Sequence, residues 1–306
     1  MRYLVLGAQG MVGRAVADEL ERRHDLVWRH ERVGADLTRQ DQVERLFDRT
    51  SPDAVVLAAA RVGGIGANAS AQWDFGRDNT LIAALCIDAA VRRRVERLVF
   101  LGSSCIYPRE AEQPIREESL LTGPLEETNR AYAAAKLTGV ELCRAWSLEG
   151  GRPRFICPMP TNLYGPGDNY DRRTSHVLAA LVRRFVEAEA SGVERVTLWG
   201  SGEPLREFLH VEDLARAVAF LLRDPDPPLL VNVGWGCDLS ISALARKVAE
   251  AVGYGGEIDW DRSMPDGTPR KLLDTSRMRE LGWEPRIGLD EGIRRTVAEY
   301  RAEVRR

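Results

Sequence analysis

The sequence predicts an α/β protein: a Rossmann-type, doubly wound parallel sheet with a smaller C-terminal substrate-binding domain. Three observations predict it. Short apolar runs alternate with helical patterns through the first half of the chain. Three glycines, Gly7, Gly10 and Gly13, stand between the first run and the first helical pattern. The alternation then breaks after Pro158 into Pro/Gly-rich stretches and returns only in places.

Taken in order, 3–6 reads as a strand, and Val12, Ala15, Val16 and Leu20 fall at helical spacing after it. The run 26–28 is a second strand, and Val43, Leu46 and Phe47 mark the next helix. A third strand at 54–57 leads to a long, largely buried helix over 80–91 and a fourth strand at 98–101. A helix over 131–148 precedes the run 155–157. Residues 158–173 hold three prolines, two glycines and two asparagines and read as a long loop. Beyond it come a helix near 175–190, a strand at 196–199 and an irregular run to His210. The rhythm returns at 211–222 and 229–233, fails again over 253–269, and ends in helices near 275–281 and 289–303. The expected division is 1–160, with returns near 211–235 and 275–285, as the cofactor unit. The substrate unit takes 161–210, 236–274 and 286–306.

Composition narrows the function classes. Among 306 residues, 43 Lys and Arg face 46 Asp and Glu, a formal net charge of −3. That balance lacks the basic excess that nucleic acid or an anionic membrane surface selects, so neither partner is expected. No apolar run approaches the ~20 residues of a membrane helix. Five cysteines without a CxxC pair indicate neither a disulfide framework nor a metal site. With no apolar leader ahead of the first strand, the expected location is cytoplasmic.

The stretch Gly7-Ala8-Gln9-Gly10-Met11-Val12-Gly13 suits a dinucleotide. A tight strand-to-helix turn needs positive φ, a pyrophosphate must approach bare backbone, and the helix start offers free N–H groups. The bland reading is the same turn with no ligand. At the end of the second strand, where an acidic residue would take the ribose of NAD, stands Arg29, which favours a 2′-phosphate and hence NADP(H). Asp36 and Leu37 are read as adenine contacts, or as a turn before the next helix.

Tyr132 and Lys136 lie one helical turn apart on one face. An ammonium beside a phenol favours the phenolate, bringing a group of reference pKa ~10 toward working range. Within Leu101-Gly102-Ser103-Ser104-Cys105-Ile106-Tyr107-Pro108, residues two apart in an extended segment face the same way. Ser103 and Cys105 are therefore expected to present a hydroxyl and a thiol together. Cys86, Cys143, Cys157 and Cys237 read as small buried hydrophobes. Asn79, in a buried helix, must be hydrogen-bonded, and His210 reads as a helix-entry residue.

These motifs, with AAARVGGIGAN at 58–68, MPTNLYGPGDN at 159–169, SHVLAALVRRF at 175–185, WGSGEPLREFLHVEDL at 199–214 and DGTPRKLLD at 266–274, span nearly the whole chain. The sequence resembles the extended short-chain dehydrogenase/reductases, and within them the GDP-L-fucose synthase family of 3,5-epimerase/4-reductases. The resemblance implies NADP(H), a GDP-sugar substrate and a homodimer pairing two long helices, here 75–93 and 131–149. It implies that Ser103 and Tyr132 bond the enolate oxygen, Cys105 removes the C3 and C5 protons, and His176 returns protons from the opposite face. Tyr132 then protonates the C4 oxygen during hydride transfer, and Lys136 orients the nicotinamide ribose. Pro160, Asn162, Leu163 and His176 join the cofactor contacts, and Arg184, Trp199, Arg206, Asp266 and Lys271 hold the GDP-sugar. One departure is Gln9, where many members carry Arg. The alternatives are a relative acting on another GDP-4-keto sugar, such as a 6-deoxy-heptose, with or without epimerisation, and a non-catalytic NADP-sensing regulator.

Overall fold

The computed structural model describes residues 1–23, 25–150, 154–264 and 266–305. The first half folds as β1 (Arg2–Leu6), α1 (Met11–Arg22), β2 (Leu26–Arg29), α2 (His30–Val33), α3 (Gln40–Thr50), β3 (Ala54–Leu57), α4 (Ile65–Ser70), α5 (Gln72–Arg92), β4 (Arg97–Phe100) and α6 (Arg130–Leu148). It continues through β5 (Arg154–Pro160), β6 (Asn162–Tyr164), α7 (Val177–Ala190), β7 (Arg195–Trp199), β8 (Leu205–His210), α8 (Val211–Leu221) and β9 (Leu230–Val233). The chain closes with β10 (Asp238–Ser240), α9 (Ile241–Val252), β11 (Glu257–Asp261), β12 (Arg270–Lys271), α10 (Ser276–Glu280) and α11 (Leu289–Val304). No helix among the described residues is long and apolar enough to cross a membrane.

Six strands form one sheet in the order β2-β1-β3-β4-β5-β9, every neighbouring pair parallel. From β1 the chain steps outward to β2 and then back past β1 to β3. The C-terminal ends of β1 and β3 are therefore the switch point where such sheets open a crevice. Alternate residues of each strand feed opposite faces. Leu4, Leu6 and Leu57 pack with α3, α5 and α6, while Tyr3, Val5 and Val56 pack with α1 and α8. Both faces being covered, β3 is apolar throughout, Ala-Val-Val-Leu. A third core unites α7, α9 and α11 over a sheet in which β8 pairs β10, β12 and β6. β11 pairs β7 alongside.

The stretch 158–173, read as loop, contains the end of β5 and all of β6. Its prolines misled the reading for a local reason. β4 pairs β5 only as far as Val99 with Ile156, so Pro158 and Pro160 fall where no neighbour needs an amide donor. The intervening donors bond β9, with Cys157 N reaching Leu229 O and Thr161 N reaching Val233 O. β8 and β11 likewise lie inside runs read as irregular: Leu-Arg-Glu-Phe-Leu-His mixes polar and apolar residues on both faces, and Glu-Ile-Asp-Trp-Asp is acidic on one. Cys86, Cys143 and Cys157 are buried as expected. Cys237 is exposed, because it stands in the loop between β9 and β10.

Candidate active site

The glycine turn is built as the sequence requires. Gly7 has φ +83°, and a Cβ on it would lie 2.6 Å from the backbone of Ala59 after β3. A Cβ on Gly13 would lie 2.2 Å from Gly7 O, so α1 is seated directly on the turn. Gly10 is the N-cap and has no side chain to occupy the first amides of α1. Gln9 and Gly10 are exposed, and Met11 and Val12 are half-buried. This cradle of bare backbone and free N–H groups fits a dinucleotide pyrophosphate. The loop facing it is held by Asn79, the buried residue expected to be hydrogen-bonded. Its amide accepts from Arg61 N at 2.8 Å and donates to Arg61 O at 3.0 Å, imitating a neighbouring strand.

At the ribose end the residues are placed differently from expectation. Arg29 is buried, and its guanidinium pairs with Asp18 and Glu21 of α1. Those carboxylates raise its pKa above the ordinary arginine value, Glu21 contributing most, so its charge is already matched. Asp36 is open to solvent and accepts from Thr38 N and Oγ1 at 2.9 and 2.7 Å. Leu37 turns into the core with Val43 and Leu46.

Gly139 brings α6, which carries Tyr132 and Lys136, close to the sheet. A Cβ there would lie 2.3 Å from the Phe100 ring, so only glycine lets α6 approach β4 so nearly. One turn earlier, Lys136 donates to Leu101 O at 2.7 Å, its ammonium 4.9 Å from the centroid of that ring. Burial pushes Lys136 down to about 8. The phenol of Tyr132 moves the other way from the sequence expectation. Burial raises it above the ordinary tyrosine value, Cys105 raises it further and Ser103 opposes. With the Lys136 ammonium committed to Leu101, burial dominates and Tyr132 is held as a proton donor.

Ser103 and Cys105 meet, but through a turn rather than an extended strand. Residues Ser104–Ile106 form a single 3-10 turn capped by Ser103, whose hydroxyl accepts from Cys105 N at 3.3 Å. A cap folds its side chain over the next residues, which achieves the juxtaposition expected of strand alternation. Cys105 is 6% exposed. Burial pushes its thiol up, and Lys271, Ser103 and Lys136 oppose that rise in this order. Lys271, predicted only as a substrate contact, thus also favours the thiolate of Cys105. No spacing signals this, since the segment of Lys271 is laid along the chain after Cys105 by Ile115 N donating to Leu272 O at 2.8 Å. Buried Glu207 completes the seam by accepting from Leu273 N at 3.1 Å and Gly236 N at 2.7 Å.

His176 occupies the N-cap position of α7, yet its imidazole makes no capping bond. The ring reaches solvent while hemmed in by protein, and burial lowers its pKa below the ordinary histidine value. The segment before it is pressed onto the loop after β3, where Gly64 N donates to Thr174 O at 2.9 Å. His210 caps α8 by accepting from Glu212 N at 3.3 Å, the helix-entry role expected of it.

Farther out, Arg206 faces Lys271 across the β8–β12 register. Arg184 donates to Thr197 O at 2.8 Å. Burial lowers both guanidinium pKa values, and neither has an ion-pair partner among the described residues. Asp266 accepts from Ser201 N and Oγ at 2.9 and 2.7 Å, and Trp199 is 69% exposed beside that loop. Pro160 ends β5, and from β6 Asn162 donates to Glu207 O at 2.8 Å while Leu163 is half-buried.

A family model described as the NAD dependent epimerase/dehydratase family matches residues 3–234. The chain belongs to that family. Within the NAD dependent epimerase/dehydratase family it is similar to a probable GDP-L-fucose synthase 1 of Oryza sativa subsp. japonica, 49% identical over 98% of this chain and 92% of the relative. A GDP-L-fucose synthetase from Naegleria fowleri, solved bound to NADP, superposes with a TM-score of 0.91 at 26% identity, covering 99% of this chain and 95% of its own. A GDP-6-OMe-4-keto-L-xylo-heptose reductase from C. jejuni superposes with a TM-score of 0.90 at 30% identity, over 99% and 98%.

Proposed function

We propose that the protein converts GDP-4-keto-6-deoxy-D-mannose to GDP-L-fucose by 3,5-epimerisation and NADPH-dependent 4-reduction. The observation that carries this reading is the meeting of Cys105 with Ser103, Tyr132, Lys136 and Lys271. A plain reductase has no use for the thiol. The near-full-length similarity to GDP-L-fucose synthases supports the same chemistry.

The glycine turn and Lys136 would hold NADPH, which when bound supplies the hydride for C4. Gln9 is uncharged and Arg29 already paired, so preference for the 2′-phosphate rests on other groups. Arg184 and Arg206, half-buried cations with no ion pair among the described residues, suit the diphosphate of a GDP-sugar. Cys105 takes a proton from the carbon beside the ketone, and Ser103 and Tyr132 hold the oxygen that becomes negative. His176, open to solvent, returns a proton from the other face. Before the second centre reacts, His176 regains a proton from water and the Cys105 thiol releases its own to water, which restores the pair. After both centres have inverted, Tyr132 gives its proton to the C4 oxygen.

A homodimer through α5 and α6 fits Leu81 and Leu142, 37% and 38% exposed on those helices. A cytoplasmic location fits five free cysteines. The heptose reductase neighbour favours a second reading, 4-reduction of another GDP-4-keto sugar. NMR of the product formed from GDP-4-keto-6-deoxy-D-mannose and NADPH decides between them. Inversion at C3 and C5 is expected, and reduction without inversion would leave the second reading.

A further inference from the structure

β9 ends the central sheet, so one of its edges has no neighbouring strand. Its sequence is Leu-Val-Asn-Val, and Asn232 is fully buried in this otherwise apolar strand. Val231 and Val233 belong to the core shared with α1 and α8. Alternation therefore turns Asn232 to the other face, where Leu230 joins Cys105, Tyr107 and Ile115 in one core. A polar group buried there must be hydrogen-bonded. The Tyr107 hydroxyl donates to Asn232 Oδ1 at 2.7 Å. Asn232 Nδ2 donates to Ile115 O at 2.9 Å and to Asp274 O at 3.1 Å. Its backbone N donates to Oε1 of buried Glu117 at 2.8 Å, which covers the open edge.

The partners fix which way that amide points. Ile115 O and Asp274 O can only accept, so the nitrogen faces them and the oxygen faces the phenol. Burial raises Tyr107 above the ordinary tyrosine pKa, which keeps its hydroxyl a donor. Tyr107 closes the 3-10 turn that Ser103 opens and that holds Cys105. Inside this turn the bonds are long, with Cys105 N to Ser103 Oγ at 3.3 Å and Tyr107 N to Ser104 O at 3.4 Å. The shorter bonds lie at its two ends. Gly102 N donates to Pro158 O at 3.0 Å, and the Tyr107 hydroxyl reaches Asn232. The turn thus spans from β5 to β9, fastened once on each strand.

We propose that Tyr107 and Asn232 are positioning residues: their buried hydrogen bond fastens the far end of the Cys105 turn and so sets the thiol and the Ser103 hydroxyl for proton removal. The proposal rests on the reading of Cys105 as the base. Asn232 extends the hold, because the same amide ties the turn to two segments that are bonded to each other. Ile115 N donates to Leu272 O and Asp274 N donates to Ile115 O, both at 2.8 Å. The turn is therefore placed by a hydrogen-bonded frame outside itself.

The test is Tyr107→Phe, which removes the hydroxyl and keeps the ring. Two rates are read in the full chain. One is alkylation of Cys105 by iodoacetamide, from the mass of its peptide, with exposed Cys237 as internal reference. The other is deuterium wash-in at C3 and C5 of GDP-4-keto-6-deoxy-D-mannose. Alkylation is expected to rise about threefold or more, as the turn opens more often. Wash-in at saturating sugar is expected to fall about tenfold or more, with KM and NADPH affinity unchanged. A bond that served stability alone would leave wash-in at the parental rate. Asn232→Asp sets an oxygen against Ile115 O and Asp274 O and should show both changes at least as strongly. The double variant should be no slower in wash-in than Asn232→Asp alone, because the two residues act as one. If Asn232→Asp does not fold, Tyr107→Phe decides by itself. Alkylation that is unchanged or slower in Tyr107→Phe, or wash-in that stays parental, would overturn the proposal. Cys105→Ser, run beside it, keeps the failures apart. Parental wash-in there defeats the reading of Cys105 as the base, whereas loss there with the parental rate in Tyr107→Phe defeats the positioning role alone. A parent without wash-in defeats the substrate assignment, and alkylation then decides whether Tyr107 fastens the turn.

Discussion

The Lys136 ammonium donates to the Leu101 carbonyl at 2.7 Å, tying the helix that bears Tyr132 to the end of the strand that delivers Ser103 and Cys105. A buried lysine titrating near 8 is charged at neutral pH and neutral in alkali. Its folded pKa lies below the unfolded value, so stability rises with pH through this window as the desolvation cost is relieved. Function runs the opposite way if the ammonium holds the cofactor ribose. NADPH affinity, measured by fluorescence titration, should weaken as pH rises through about 8 and be weak at every pH in Lys136→Met. An affinity indifferent to both changes would remove Lys136 from the cofactor site.

Gly139 makes that approach of helix to strand attainable. Gly139→Ala puts a methyl 2.3 Å from the Phe100 ring, and overpacking of this kind costs about 1–3 kcal/mol. A lower midpoint in urea unfolding, with unchanged slope, is the expected result. A midpoint equal to that of the parent would show that α6 yields easily.

Cys105→Ser should reduce deuterium wash-in at C3 and C5 by about 10²-fold or more while NADPH still binds, because serine is a far weaker base. Wash-in at the parental rate would assign the base elsewhere.

Tyr132→Phe removes the hydroxyl proposed to protonate the C4 oxygen. Hydride transfer, followed as NADPH absorbance, should slow by about 10²–10⁴-fold. Parental absorbance decay would exclude the phenol from the reduction.

Burial has moved the presumed acid and base apart, lowering His176 and raising Cys105. The working pair needs imidazolium and thiolate together. That form carries the same number of protons as the commoner neutral pair, so the two populations rise and fall together with pH. Wash-in should therefore trace a bell, rising through the depressed His176 pKa and falling through the elevated Cys105 pKa. A rate that climbs in alkali to a plateau would mean that the thiolate acts without His176.

Much of this was legible beforehand. Gly7 and Gly13 announced the cradle because close backbone approach admits no other residue there, and Tyr132 and Lys136 announced a shared helical face. What stayed hidden depended on contacts between distant segments. Nothing near Lys271 in the sequence indicates Cys105, since their segments come together only once Ile115 N has bonded Leu272 O. Glu207 lies in a run read as irregular, and its purpose is visible only once Leu273 and Gly236 need an acceptor. Arg29 carried the expected charge in the expected place, but two acids on the facing helix claim it.

Thr161, the single residue between β5 and β6, bonds to Val233 O at 3.1 Å through its amide and to Glu207 O at 3.2 Å through its hydroxyl. One nearly continuous extended run thus serves two sheets, with no linker to act as a hinge. New sugar specificity must therefore be acquired through the loops at the rim, because exchanging the smaller half wholesale would sever a strand that both halves share.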